Sequence, residues 1–204
     1  MKTNNILAAI ATTAILGLSS TTANAQLNKG NLLISSNFTN LELNAQKDLT
    51  TFQFNIKPRV GYFFKDNWVS GLYSNFGINS NKYQHNNTGG LGVFSRYYFN
   101  NINTPVITQL RFFAEGHLGF LDAYTKVMGA KINSSAIQLG ITAGASYFIS
   151  ANVGLEVALG YEVSQGISNS DYFNNRLNFE VGLQVYLPTA RVKGAYKQLK
   201  SEVK

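Results

Sequence analysis

The residues that could do chemistry in this chain are ionisable side chains set within apolar, aromatic-rich segments. A buried charge is costly unless an opposite charge and hydrogen bonds accompany it. If these side chains face a narrow interior, their charges must therefore pair with one another. The sequence predicts a single charge network made of Arg59, Arg96, Arg111, Glu115, Glu156 and Glu180.

Two interpretations of this network are open. The charges can fill the interior as a polar plug that fixes the alignment of neighbouring strands, or they can border a path for ions or solutes. Three further charged residues are predicted to face inward: Lys57, Arg176 and Glu162. They are compatible with both interpretations.

The histidines do not form a recognisable catalytic or metal-binding pattern. His117 lies two residues from Glu115 and on the same face of a predicted strand, but no serine is placed beside it by spacing alone. His85 lies in an asparagine-rich segment, and one isolated histidine does not make a metal site. The chain has no cysteine and therefore no disulfide. We predict no catalytic residue, no metal ligand and no cofactor.

The charged positions alternate with apolar ones, which predicts β-strands. In residues 52–64 the even-numbered side chains, from Phe52 to Phe64, are apolar, whereas Lys57 and Arg59 lie on the other face. Successive side chains of a strand point to opposite faces, so this period of two indicates one apolar and one polar side. Lys65-Asp66-Asn67 is predicted as a turn, and a second alternating run begins at Trp68.

The same pattern recurs along the chain and predicts about eight strands. Their predicted ranges are 31–43, 52–64, 68–78, 89–99, 110–120, 137–149, 153–163 and 177–187. Polar loops are predicted at 44–50, 79–88, 122–133 and 165–175, and short turns at 65–67, 100–105 and 150–152. An even number of strands with alternating short and long connections is typical of an all-β, up-and-down antiparallel transmembrane β-barrel.

Two features indicate that the apolar face points outward, into lipid. Most glycines, among them Gly92, Gly140 and Gly182, lie on the polar face, where a barrel of about eight strands has little room. Aromatic residues of the apolar face gather beside the predicted short turns, as at a membrane–water interface. This predicted aromatic belt consists of Tyr62, Phe64, Trp68, Tyr97, Phe99 and Tyr147. A soluble barrel with an apolar interior is the alternative.

The ends of the chain differ in composition from the predicted barrel. Lys2, an apolar stretch from Ile6 to Leu18 and the sequence Ala23-Asn24-Ala25 are typical of a secretory signal peptide. We therefore predict a signal peptide at residues 1–25, a barrel at 26–189 and a basic periplasmic tail at 190–204. Much of the net charge of +7 lies in that tail, so it does not indicate a nucleic-acid-binding face.

Three strand-end motifs carry a resemblance to a known family. They are Lys57 to Phe64 followed by Asp66-Asn67-Trp68 and Gly71, then Val93 to Phe99, then Tyr147 to Val153. On these motifs the chain resembles the outer-membrane β-barrel domain family of Gram-negative bacteria and, more distantly, the small OmpX/OmpA-like barrels. The resemblance implies a location in the outer membrane, contact with its lipid and lipopolysaccharide, and insertion by the barrel assembly machinery.

The resemblance specifies a fold and not an activity. We expect a structural or surface-interaction role, in which extracellular loops contact a ligand and the lumen is plugged by polar and charged side chains. A narrow passive channel and a lipid-modifying outer-membrane enzyme are the alternatives. The aromatic candidates for loop contacts are Tyr83, Tyr124, Tyr172 and Phe173.

Overall fold

The computed structural model describes residues 27–46, 49–80, 84–99, 109–127, 130–167 and 173–189. The predicted signal peptide and the predicted basic tail lie outside these ranges, as do Tyr83 and Tyr172. Within them, no helix is both long enough and apolar enough to cross a membrane.

The chain folds into eight antiparallel strands that form a closed barrel in chain order. The strands are β1 (Leu32–Gln46), β2 (Leu49–Lys65), β3 (Trp68–Ser80), β4 (Gln84–Tyr98), β5 (Leu110–Val127), β6 (Ala130–Phe148), β7 (Val153–Gly166) and β8 (Phe173–Leu187). The barrel closes where β1 pairs with β8, from Leu32 opposite Leu187 to Thr39 opposite Glu180. The prediction of an up-and-down antiparallel barrel is confirmed.

The alternation read from the sequence sorts the side chains as predicted. In β7, the outward residues are 44–56% exposed, and they are Leu155, Val157, Leu159 and Tyr161. The residues that alternate with them, Glu156, Ala158 and Gly160, are buried. The outward residues from Leu110 to Phe120 span about 33 Å along β5. A typical tilt of about 40° reduces this to a height of about 25 Å, which matches the apolar band of an outer-membrane barrel.

The strands are longer than the sequence predicted, and the predicted polar loops are largely wrong. Residues 122–127 and 130–133 pair across β5 and β6 instead of forming a loop. Predicted loop residues 44–46 and 49–50, 79–80 and 84–88, and 165–166 and 173–175 are likewise in strands. The apolar pattern ends with the membrane band, but backbone pairing continues beyond it, because a hairpin arm in water needs no apolar face.

The two ends of the barrel differ. At one end, named here the turn end, β2 and β3 are joined at Asp66 and Asn67, and Asn67 adopts φ 64°, a left-handed conformation that asparagine tolerates. The segment before β1 crosses this end: the Asn67 N–H donates to the Leu27 carbonyl at 2.7 Å, and Leu27 is buried. The opposite end, where the strands extend past the apolar band, is named here the mouth.

Candidate functional site

The register brings most of the predicted charge network together inside the barrel. Arg96 lies directly opposite Glu115 across β4 and β5. Its Nη2 contacts Glu115 Oε2 at 2.7 Å, and its Nη1 contacts Glu156 Oε2 at 2.5 Å. Each of these side chains is fully buried. One guanidinium therefore joins carboxylates from β5 and β7 across the lumen.

Arg59 makes the second connection across the lumen. Its Nη2 lies 3.2 Å from Glu115 Oε1 and 3.1 Å from Glu180 Oε2. Asn37 also holds Glu180, because its Nδ2 donates to that carboxylate at 2.8 Å, and it donates to Glu156 at 2.7 Å. Arginine presents several donors in a rigid planar fork, so it can hold two carboxylates in fixed positions.

The observed network also includes Lys57 and Glu162. The sequence placed both on the inner face but did not include them in the predicted network. Lys57 Nζ contacts Glu162 Oε1 at 2.7 Å and Glu180 Oε1 at 3.4 Å. We name as the charged layer the set Lys57, Arg59, Arg96, Glu115, Glu156, Glu162 and Glu180. Arg111, in contrast, lies near the start of β5, about 13 Å along the strand from Glu115. There its guanidinium donates to the Leu110 carbonyl at 3.1 Å.

His117 points into the lumen and away from lipid. Its Nε2 lies 3.2 Å from Glu162 Oε1 and its Nδ1 3.8 Å from Glu115 Oε1. The ring packs edge-on against Tyr73 at 5.6 Å and covers Gly140, where a Cβ would collide with it. Tyr73 covers Gly92 and Gly119 in the same way. Glycine is thus required at these inward positions because aromatic rings occupy the space.

A layer of buried aromatic and aliphatic side chains fills the lumen between the charged layer and the turn end. This aromatic layer consists of Leu33, Phe63, Val69, Tyr98, Phe113, Phe148 and Tyr186. The ring centroids of Phe148 and Tyr186 are 5.0 Å apart, and those of Tyr98 and Phe113 are 5.8 Å apart. The expectation of a polar and charged filling is therefore incomplete. The signal was present, since these residues occupy inward positions of their strands.

The two layers are joined by hydrogen bonds and ring contacts. Arg96 Nη1 donates to the Tyr98 hydroxyl at 3.1 Å, and the Tyr98 and Tyr186 hydroxyls are 2.9 Å apart. The Arg96 guanidinium carbon also lies 3.9 Å from the centroid of the Phe113 ring. A cation over an aromatic face is favourable, especially where water is excluded. Arg96 thus belongs to both layers.

A polar cavity of about 190 Å³ lies at the mouth. We name it the mouth cavity, and its lining consists of Asn55, Gly77, Ile78, Asn79, Asn86, Thr88 and Arg176. The two other aromatic loop candidates that the structure describes lie at this end, with Tyr124 on β5 and Phe173 at the start of β8. In the described ranges, no group of three or more histidine, aspartate or glutamate side chains could hold a metal ion.

The predicted belt residues all lie on the outer face beside the turn end. Four of them form a continuous row: Phe64 contacts Trp68 at 5.4 Å, Trp68 contacts Tyr97 at 5.9 Å, and Tyr97 contacts Phe99 at 5.4 Å. Tyr62 and Tyr147 are exposed on the same face. The position of the membrane–water interface at this row stays a prediction.

The fold and its apolar outer band define the class of small outer-membrane β-barrels. The chain is similar in structure to Neisserial surface protein A, with a TM-score of 0.55, 16% identity, and coverage of 78% of this chain and 97% of that one. It is also similar to the N-terminal β-barrel domain of Pseudomonas aeruginosa OprF, with a TM-score of 0.53, 16% identity, and coverage of 78% and 98%. No family model matches the chain, and no curated protein is significantly similar in sequence. The likeness confirms the predicted OmpX/OmpA-like fold.

Removing one carboxylate from the charged layer should destabilise the barrel. Glu156→Gln conserves the side-chain volume but leaves the Arg96 guanidinium with one carboxylate fewer. Because Arg96 then keeps Glu115 as its only carboxylate partner in the layer and Asn37 loses a charged acceptor, we expect the free energy of unfolding to fall by about 2 kcal/mol. Urea unfolding of vesicle-inserted protein, followed by fluorescence of Trp68, the single tryptophan, measures the change.

Asp122→Asn is the matched control, because it makes the same chemical change at an exposed site. The Asp122 carboxylate accepts a hydrogen bond from the Ser135 hydroxyl at 2.6 Å. The control should change the free energy of unfolding by less than about 1 kcal/mol. Equal losses in both variants, or no loss in Glu156→Gln, would contradict a stabilising role of the charged layer.

Proposed function

We propose that the protein is an integral outer-membrane barrel with a closed lumen, and that it acts by binding at the cell surface. The observation that carries the proposal is the stacking of two filled layers inside one narrow barrel. A barrel of eight strands has an interior just wide enough for side chains, and here both layers are buried. The mouth remains as the part of the lumen open to a ligand.

The alternative of a narrow passive channel is disfavoured by the aromatic layer. Phe63, Tyr98 and Phe148 are completely buried. An ion would have to leave water to pass these rings, which costs far more than thermal energy. A channel would therefore require the aromatic layer to rearrange.

The alternative of a lipid-modifying enzyme is disfavoured by the position of His117. His117 is buried in the lumen, where Glu115 and Glu162 occupy the neighbourhood of its two ring nitrogens. A lipid substrate would approach from the outer face, on the other side of the barrel wall. We therefore propose a non-enzymatic role, with outer-membrane lipid, lipopolysaccharide and the assembly machinery as partners of the barrel itself.

Electrical recording tests whether the lumen is closed. In planar lipid bilayers, folded wild-type protein should give no stepwise conductance, because the aromatic layer excludes ions. Heat-modifiable gel migration of the same preparation verifies that the barrel is folded. Regular conductance steps from folded protein, scaling with protein concentration, would contradict the closed lumen and restore the channel.

Surface display tests whether the mouth faces outward. An epitope tag inserted between β5 and β6 should be bound by antibody on intact cells. The same tag after Ala151, in the connection between β6 and β7 at the turn end, should be bound only after the outer membrane is permeabilised. Binding in the opposite order would place the mouth in the periplasm and remove the basis for a surface role.

A further inference from the structure

The mouth cavity combines one cation with neutral amides and a hydroxyl. Arg176 is its cation, and Asn55, Asn79, Asn86 and Thr88 supply the amide and hydroxyl groups. No carboxylate is among the lining residues of this cavity. A wall of this composition attracts an anion and offers hydrogen bonds of both kinds to its other atoms.

Arg176 is available because its cross-strand neighbour is already engaged. Arg176 lies opposite Glu162 across β7 and β8. The Glu162 carboxylate, however, receives Lys57 Nζ at 2.7 Å, Gln138 Nε2 at 2.8 Å and Asn178 Nδ2 at 2.7 Å. The Arg176 side chain is exposed, and in the part of the chain that the structure describes it makes no ion pair.

Asn86 supplies a second indication of a ligand. Its Oδ1 is shielded from solvent and has no hydrogen-bond partner among the described residues. A shielded acceptor without a donor carries a desolvation cost that a bound hydroxyl would relieve. The cavity therefore presents a cation for an acidic group, and a rotation of the Asn86 amide would bring its unpaired acceptor to a hydroxyl group in the same space.

We propose that the mouth cavity binds one acidic sugar residue, with its carboxylate on Arg176 and its hydroxyls on the amides of Asn55, Asn79 and Asn86. The volume of about 190 Å³ is below that of pockets for drug-sized ligands, and it suits a single ring. A guanidinium binds a carboxylate through two parallel hydrogen bonds, which gives orientation as well as affinity. This inference rests on the proposed surface function and names the chemical class of its ligand.

Titration calorimetry of the detergent-solubilised full chain with glucuronate tests the proposal. Saturable binding of glucuronate is expected, and glucose, which lacks the carboxylate, should bind at least about tenfold more weakly. Acetate, which lacks the hydroxyls, should also bind at least about tenfold more weakly. The methyl glycoside of glucuronate distinguishes the source: equal binding indicates the terminal residue of a glycan, and loss of binding indicates a free sugar acid.

Variants connect the binding to the cavity. Arg176→Gln should weaken glucuronate binding about tenfold or more, and Asn86→Ala should weaken it by a smaller factor. Lys65→Gln removes one exposed positive charge at the turn end and should leave binding unchanged. Each variant should fold, because these positions lie outside the charged layer. Heat-modifiable gel migration checks that it does.

Three results would overturn the proposal. They are the absence of saturable glucuronate binding, equal affinity for acetate, and unchanged affinity in folded Arg176→Gln. Failure here is distinguishable from failure of the proposed function, because conductance and tag accessibility do not depend on a sugar. A barrel that shows no conductance, has its mouth at the cell surface and does not bind glucuronate would refute this ligand class alone.

Discussion

Pairing of buried charge inside a narrow bore is the constraint on which the rest of this barrel depends. Three basic side chains and four carboxylates share the charged layer, and none is exposed enough for water to replace a lost partner. Each strand that contributes a charge is therefore held in register with strands across the lumen, because a slip by one residue would turn its charge towards lipid. Arg96, which contacts carboxylates on β5 and β7, is the centre of this arrangement.

Each level of the lumen contains a different kind of interaction. Aromatic rings pack beside the turn end, ion pairs join strands in the middle of the lumen, and neutral amides with Arg176 line the mouth cavity. Tyr98 connects the first two layers, because its hydroxyl meets Arg96 while its ring packs on Phe113. In the proposed function, a closed base beneath an open polar mouth favours binding over transport.

The period of two in the sequence was enough to predict the fold, the inward residues and most of the charge network. It placed Arg59, Arg96 and Glu156 on the inner face correctly, since parity along a strand depends only on counting. Parity gives the face on which a side chain lies but not its height along the barrel axis. The separation of Arg111 from the charged layer, and the separate layer around Tyr186, could therefore be found only from the register between strands. Strand ends were missed for another reason: backbone pairing of β5 with β6 continues where the side chains no longer alternate.

The outward face of β7 offers the most direct measurement of whether this barrel sits in lipid. The chain has no cysteine, so a spin label can be attached to single cysteines placed at each residue from 155 to 161 without background labelling. In lipid vesicles, collision with oxygen should peak at 155, 157, 159 and 161 and fall between them, while a water-soluble nickel reagent should reach none of them. High nickel accessibility at Leu155, Val157 and Leu159 would contradict the account, because the apolar face would then meet water.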